Sequence, residues 1–163
     1  NITASASWAG GIIARPQQNV TVSKCVNFGN ISASSSYAGG LCGESLLGTT
    51  FTDCYSIGNI TSTLGEVGGA CGNVRASSSF INCYCVGTVT GAAPKGGFTS
   101  TNAGTITACY YDTTVSGLTD STKGTPKTTT EMKTGAIPDT TIYIGWDAGI
   151  WNAGTTNEYP YLN

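Results

Sequence analysis

Apolar and small residues recur along this chain in short clusters rather than as helical faces, and the clusters return at a fixed spacing. Glycine pairs stand at Gly10-Gly11, Gly39-Gly40, Gly68-Gly69 and Gly96-Gly97, separated by 29, 29 and 28 residues. Two positions after the first glycine of each pair comes an apolar residue, Ile12, Leu41, Ala70 and Phe98. Fifteen positions after it comes a cysteine, at Cys25, Cys54 and Cys83; the fourth repeat has lost two residues, which brings its equivalent in at Cys109. Val26, Tyr55, Tyr84 and Tyr110 follow directly. Then come Gly29-Asn30-Ile31, Gly58-Asn59-Ile60 and the variant Gly87-Thr88-Val89. Several columns sharing one period identify a repeat architecture.

A unit of this length holds two or three short strands and cannot bury its apolar face alone. Stacking copies with a rise of about 4.8 Å gives each residue type a ladder of its own kind. The pattern therefore predicts an all-β chain, a right-handed parallel β-solenoid (β-helix) of about four turns over residues 1–112. The turns are drawn at about 10–38, 39–67, 68–95 and 96–112. Strict alternation points Lys24, Asp53 and Asn82 outward and Cys25, Cys54 and Cys83 inward, yet the following Val26, Tyr55 and Tyr84 are also expected to be buried. A bend or bulge is predicted there.

The period stops at about Thr113, and residues 113–163 form a C-terminal loop, short helix and cap. Ser116 to Lys127 is polar and rich in Gly and Thr, which predicts a surface excursion. Thr128 and Glu131 have capping-box spacing, predicting a short helix through about Thr134. Trp146, Trp151, Tyr159 and Tyr161 concentrate in the last segment, with Pro160 limiting strand pairing, as a cap over the solenoid's end requires. Nothing before Gly10 resembles a cap; residues 1–9 are short, uncharged and strand-compatible, with Trp8 as an anchor. The N-terminal end is accordingly expected to be a joining surface for another domain or a neighbouring copy.

Composition narrows the function. Charged residues make up 10% of the 163 and the net charge is −2, so the chain lacks the basic field that holds nucleic acid. Solubility rests instead on 26 Thr and 16 Ser. There is no run of 18 apolar residues and no signal-peptide pattern at residues 1–15, so membrane insertion is not expected. A start inside a repeat at Asn1 suggests a processed mature end or a piece of something longer.

These residues resemble the GLUG-motif repeats of secreted and surface-attached microbial proteins. Gly40-Leu41-Cys42-Gly43 matches the motif, Gly69-Ala70-Cys71-Gly72 is a looser copy, and Cys54-Tyr55-Ser56-Ile57-Gly58-Asn59-Ile60 is similar to the flanking consensus. The tail resembles the segment that often follows, through Cys109-Tyr110-Tyr111-Asp112, Thr130-Glu131-Met132-Lys133, Trp151-Asn152 and Tyr159-Pro160-Tyr161-Leu162. Repeats one and four depart from the motif at Ile13-Ala14 and Thr99-Ser100, where the second motif glycine is missing. The resemblance implies an extracellular, adhesin-like module, and it carries no catalytic residue.

Candidate chemistry is sparse. Seven cysteines with no histidine and no Cys-x2-Cys pair argue against zinc, and no cofactor is expected. The columns Cys25, Cys54, Cys83, Cys109 and Cys42, Cys71 have two readings, disulfide staples or small apolar core residues; Cys85 stands outside both. Of the nine acids, Asp53, Asp112, Asp120, Asp139, Asp147, Glu44, Glu66, Glu131 and Glu158, only Glu44 and Glu66 are placed to approach one another, and both are read as solvated loop acids. Four sequons, at Asn1, Asn19, Asn30 and Asn59, are candidate glycosylation sites. Asn30 and Asn59 share a column, so an inward asparagine ladder competes with the glycan reading. Ser32, Thr61 and Thr90 also stack, a hydroxyl row suited to ice or sugars. The expected role is an extracellular structural or adhesive surface module, assembling head to tail or joined to other domains; the alternative is a carbohydrate-binding or carbohydrate-active β-helix protein.

Overall fold

The structure, a computed structural model, describes residues 1–5, 7–34, 36–92, 94–138, 141–155 and 157–163. Asp139 lies outside the described residues. The repeat folds as a parallel β-solenoid of four turns. Among the described residues the turns contribute short strands to five parallel sheets. Sheet 1 stacks Ile2–Ala4, Ile31–Ala33, Ile60–Ser62 and Val89–Gly91, and sheet 2 stacks Trp8–Gly10, Tyr37–Gly39, Glu66–Gly68 and Lys95–Gly96. Sheet 3 holds Cys42–Ser45, Cys71–Val74 and Thr99–Asn102, extended by a bridge from Ile13 to Cys42. Sheet 4 holds Thr21–Ser23, Thr50–Thr52, Ser79–Ile81 and Thr105–Thr107. Sheet 5 holds Val26–Asn27, Tyr55–Ile57, Tyr84–Val86, Tyr110–Asp112 and a fifth strand, Thr125–Lys127. Ile2 pairs in register with Ile31 and Ile31 with Ile60, and Trp8 with Tyr37, so the strands Ile2–Ala4 and Trp8–Gly10 belong to the first turn.

The glycine pairs mark where the wall is thinnest. A β-carbon on the first glycine, Gly10, Gly39, Gly68 or Gly96, would strike the carbonyl oxygen of Ile13, Cys42, Cys71 or Thr99. One on the second would strike a side chain reaching across from sheet 5: Asn27 against Gly11, Ser56 against Gly40, Cys85 against Gly69 and Tyr111 against Gly97. Both columns thus need the absence of a side chain, which is why the pair repeats. The same geometry explains Cys85, which fills the step between Ser56 and Tyr111 and donates its thiol to the Gly97 carbonyl at 3.1 Å.

Inside the coil, Phe51 stacks on Phe80 with ring centroids 4.7 Å apart, and Phe98 meets Phe80 edge-on at 5.6 Å. Offset stacking follows from one-turn spacing in a parallel ladder. Leu41, Ala70, Cys54, Cys83 and Cys109 complete this core. The predicted bend is present. Lys24, Asp53, Asn82 and Ala108 adopt φ of 54°, 54°, 52° and 49°, left-handed conformations that turn the chain just before each cysteine. The turn sends each cysteine into the coil and the next residue, Val26, Tyr55, Tyr84 or Tyr110, to the outer side of sheet 5.

That outer column explains a difference in the C-terminal segment. The aromatic cap does not close the end of the solenoid; it runs along its flank. Trp146, Trp151, Tyr143, Ile142 and Met132 pack on Tyr55, Tyr84 and Tyr110, which come from three successive turns. Polar tips are bonded to the wall: Trp151 Nε1 donates to Asp53 at 3.0 Å, Trp146 Nε1 to the Ala108 carbonyl at 3.0 Å, and Tyr84 donates to the Pro160 carbonyl at 2.5 Å. Asp53, expected to point to solvent, is therefore buried beneath Trp151. The helix Thr129–Thr134 begins at the predicted capping box, with Thr128 and Glu131 bonded reciprocally. A further short helix, Thr113–Ser116, is capped by Asp112.

The end of the last turn is met by the polar stretch read as a surface excursion. Thr125–Lys127 pairs with Tyr110–Asp112, Leu118 packs on the core, and the Asp120 carbonyl accepts from the Tyr111 hydroxyl at 2.9 Å. Gly124, at φ 115°, lies against Phe98. The opposite end is open. Ile2 is 39% exposed where its equivalent Ile31 is 1%, and Ile12 and Cys25 are half-buried where Leu41 and Cys54 are fully buried.

Candidate functional site

Sheets 2 and 3 meet at a narrow corner, because Gly43 and Gly72 let the backbone of sheet 3 lie against Ala9 and Ala38. Such close approach leaves no room for intervening side chains, so those that follow project from the corner. Glu44 is the central one. Its carboxylate accepts from Trp8 Nε1 at 2.8 Å, Arg15 Nε at 2.9 Å and Arg75 Nε at 2.7 Å, and a second nitrogen of Arg75 also donates to it. The Arg15 guanidinium lies over the Trp8 ring, 4.5 Å from its centroid. The Glu44 side chain is 2% exposed, whereas Arg15 and Arg75 are 41% and 48% exposed. One buried carboxylate thus orients two guanidiniums, from turns one and three, whose outer edges face solvent.

Beside them runs a groove of about 500 Å³ lined by Arg15, Gln18, Leu46, Leu47, Arg75, Ala76 and Ala103. Gln18, Leu47 and Ala76 are spaced by one repeat, so the groove follows the stack. Glu66 is close enough to act on Arg75 through space, but it accepts from Ser100 at 3.2 Å and Thr101 at 2.5 Å. The hydrogen bond that Arg75 donates to Glu44 is the main cause of a raised Arg75 pKa, which keeps that guanidinium charged. The reading of Glu44 as a solvated loop acid is corrected: it and Glu66 do share a corner, yet each is held by its own donors. Arg15 and Arg75 were not singled out by the sequence, since they belong to different columns. The only sequence signal is that they are the chain's two arginines, 60 positions apart and both next to the motif.

The asparagine column forms a ladder on the outside, not the inside. Asn1 Oδ1 accepts from the Asn30 amide at 3.1 Å, Asn30 Oδ1 from Asn59 at 2.9 Å and Asn59 Oδ1 from Thr88 at 3.0 Å. The fourth sequon residue, Asn19, is exposed in a turn at φ 59°. Thr3, Ser32, Thr61 and Thr90 form an exposed hydroxyl row in register on sheet 1. The other acids serve structure. Asp112 holds Val115, Thr129 and Tyr159 together, and Asp120, Glu131, Asp147 and Glu158 bond within their own turns or caps.

Of the two readings of the cysteine columns, the structure has the packed one: no pair is at bonding distance, all seven cysteines are free thiols and six are buried. The column bonds to its own strands instead: Cys25, Cys54, Cys83 and Cys109 donate to the carbonyls of Ser23, Thr52, Ile81 and Thr107 at 3.2–3.3 Å. Burial is the leading cause raising the pKa of Cys42, Cys83 and Cys85. A thiol shut away from solvent is out of reach of reagents and slow to form the reactive thiolate. Only Cys25, half-buried at the open end, is therefore expected to react quickly with a disulfide reagent in native protein, and all seven after denaturation. Two or more fast thiols in the folded state would contradict this packing.

Among the described residues no group of three or more His, Cys, Asp or Glu is placed to hold a metal ion, and no helix is long and apolar enough to cross a membrane. Comparison of the chain with protein-family models, curated proteins and solved structures gives no match.

Proposed function

We propose that this protein is an extracellular, non-catalytic structural or adhesive surface module whose first turn is a joining surface, for a neighbouring copy stacked head to tail or for a further domain of the same protein. The observation that carries the reading is the asymmetry of the two ends. The last turn is covered by residues 118–127, whereas the first leaves Ile2, Ile12 and Cys25 uncovered beside the outer edges of Ile2–Ala4, Trp8–Gly10 and Thr21–Ser23. Unpaired strand edges with exposed core are templates for further pairing. A contact between unlike ends does not close, so identical copies joined this way form a fibre. The exposed sequon and hydroxyl columns and the likeness to GLUG-motif repeats support a location outside the cell, where glycans are compatible partners.

Light scattering over a concentration series tests the proposal. Particle mass is expected to grow with concentration, and an Ile12→Lys variant, which places a charge on the open edge, is expected to remain monomeric with an unchanged circular dichroism spectrum. Unmodified protein that stays monomeric at high concentration overturns the stacking reading.

A further inference from the structure

The groove beside the two arginines has features that stacking does not use. Neither arginine lies in the core, and Glu44 engages Nε of Arg15 and one edge of Arg75. A guanidinium carries five N–H donors in a fixed fork, so donors remain on both, directed from a buried anchor that limits their motion. Among the described residues those remaining donors make no hydrogen bond. With Glu66 counted, two cations face two carboxylates, so the attraction on offer is that of aimed N–H groups and not of a net field. Aimed, paired donors are what a planar oxyanion takes up.

The rest of the lining is aliphatic. Leu46, Leu47, Ala76 and Ala103 form the wall, and Leu47 is 47% exposed, so apolar surface lies open to a ligand beside the two charges. Spaced by single turns from Gln18 to Ala103, the strip is about 14 Å long, three intervals of about 4.8 Å. Its volume falls within the ordinary range of small-molecule sites. The wall has no aromatic face of the kind that stacks on sugar rings.

We infer that this groove binds an aliphatic carboxylate, a medium-chain fatty acid, with its head group on Arg15 and Arg75 and its tail along Leu47, Ala76 and Ala103. The head accepts from the guanidinium edges that otherwise face solvent, and the tail removes Leu47 from water. Calorimetric titration of the full chain with decanoate, kept below its micelle concentration, tests this. Saturable one-to-one binding is expected, weaker by at least about ten-fold for decanol, which keeps the tail without the charge. Arg75→Gln is expected to bring decanoate down to the decanol level, and Leu47→Ser, an exposed position that does not support the fold, to weaken both probes. Equal binding of decanoate and decanol, tighter binding of galacturonate than decanoate, or no saturable binding overturns the inference.

Discussion

A Gly39→Ala variant is expected to lose about 3 kcal/mol of stability or to fail to fold, the upper range for forcing atoms into a packed interior. One methyl group suffices because its neighbours are backbone. The new carbon would meet the Cys42 carbonyl oxygen and lie 2.7 Å from both the Ala70 oxygen and the Cys71 α-carbon. None of these atoms can rotate away, and each belongs to the ladder that joins turn two to turn three. Gly149→Ala is the matched control: its added carbon meets only the Asp147 side chain, at 3.2 Å, and a change within about 0.5 kcal/mol is expected. Urea denaturation of the two variants measures the difference. Similar midpoints for both would mean that the close approach of sheets 2 and 3 does not hold the turns together.

The second large effect is expected at Trp151. Its side chain is fully buried between Trp146, at 4.3 Å between centroids, and the tyrosines of turns two and three, Tyr55 at 5.8 Å and Tyr84 at 6.0 Å. Trp151→Ala should cost about 3–5 kcal/mol through lost burial and the cavity left behind. It also leaves the buried Asp53 carboxylate with Asn82, at 3.3 Å, in place of its shorter indole bond. Trp151→Phe keeps most of the volume and removes the donor, so it is expected to fall between the two. Thermal unfolding of the three proteins tests the flank packing, and a loss below about 1 kcal/mol for the alanine variant would contradict it.

The period and the inward columns were legible because stacking demands identical chemistry at each step. Gly39 and Gly68, or Cys54 and Cys83, answer the same geometric need one turn apart. Even the bend before each cysteine followed from alternation failing at Lys24, Asp53 and Asn82, although its cause, a left-handed residue, has no single signature when lysine and asparagine both occupy it. The placement of the aromatic tail was not legible. Composition says that Trp146 and Trp151 must be buried but not against which surface, and the deciding feature is that the Tyr55 column faces away from the coil. The arginine corner escaped for a related reason: Arg15 and Glu44 are 29 positions apart, as columns require, but Glu44 and Arg75 are 31 apart and meet only through side-chain length.

Electron microscopy of the native material tests the central claim most directly, because it reads both the solenoid axis and the use of its open end. Stacking of units of four turns plus the covering layer of residues 118–127 predicts unbranched filaments with a subunit rise of about 24 Å, five steps of about 4.8 Å each, along the axis. Discrete particles of single-chain size, with the first turn intact and unoccupied, would contradict it.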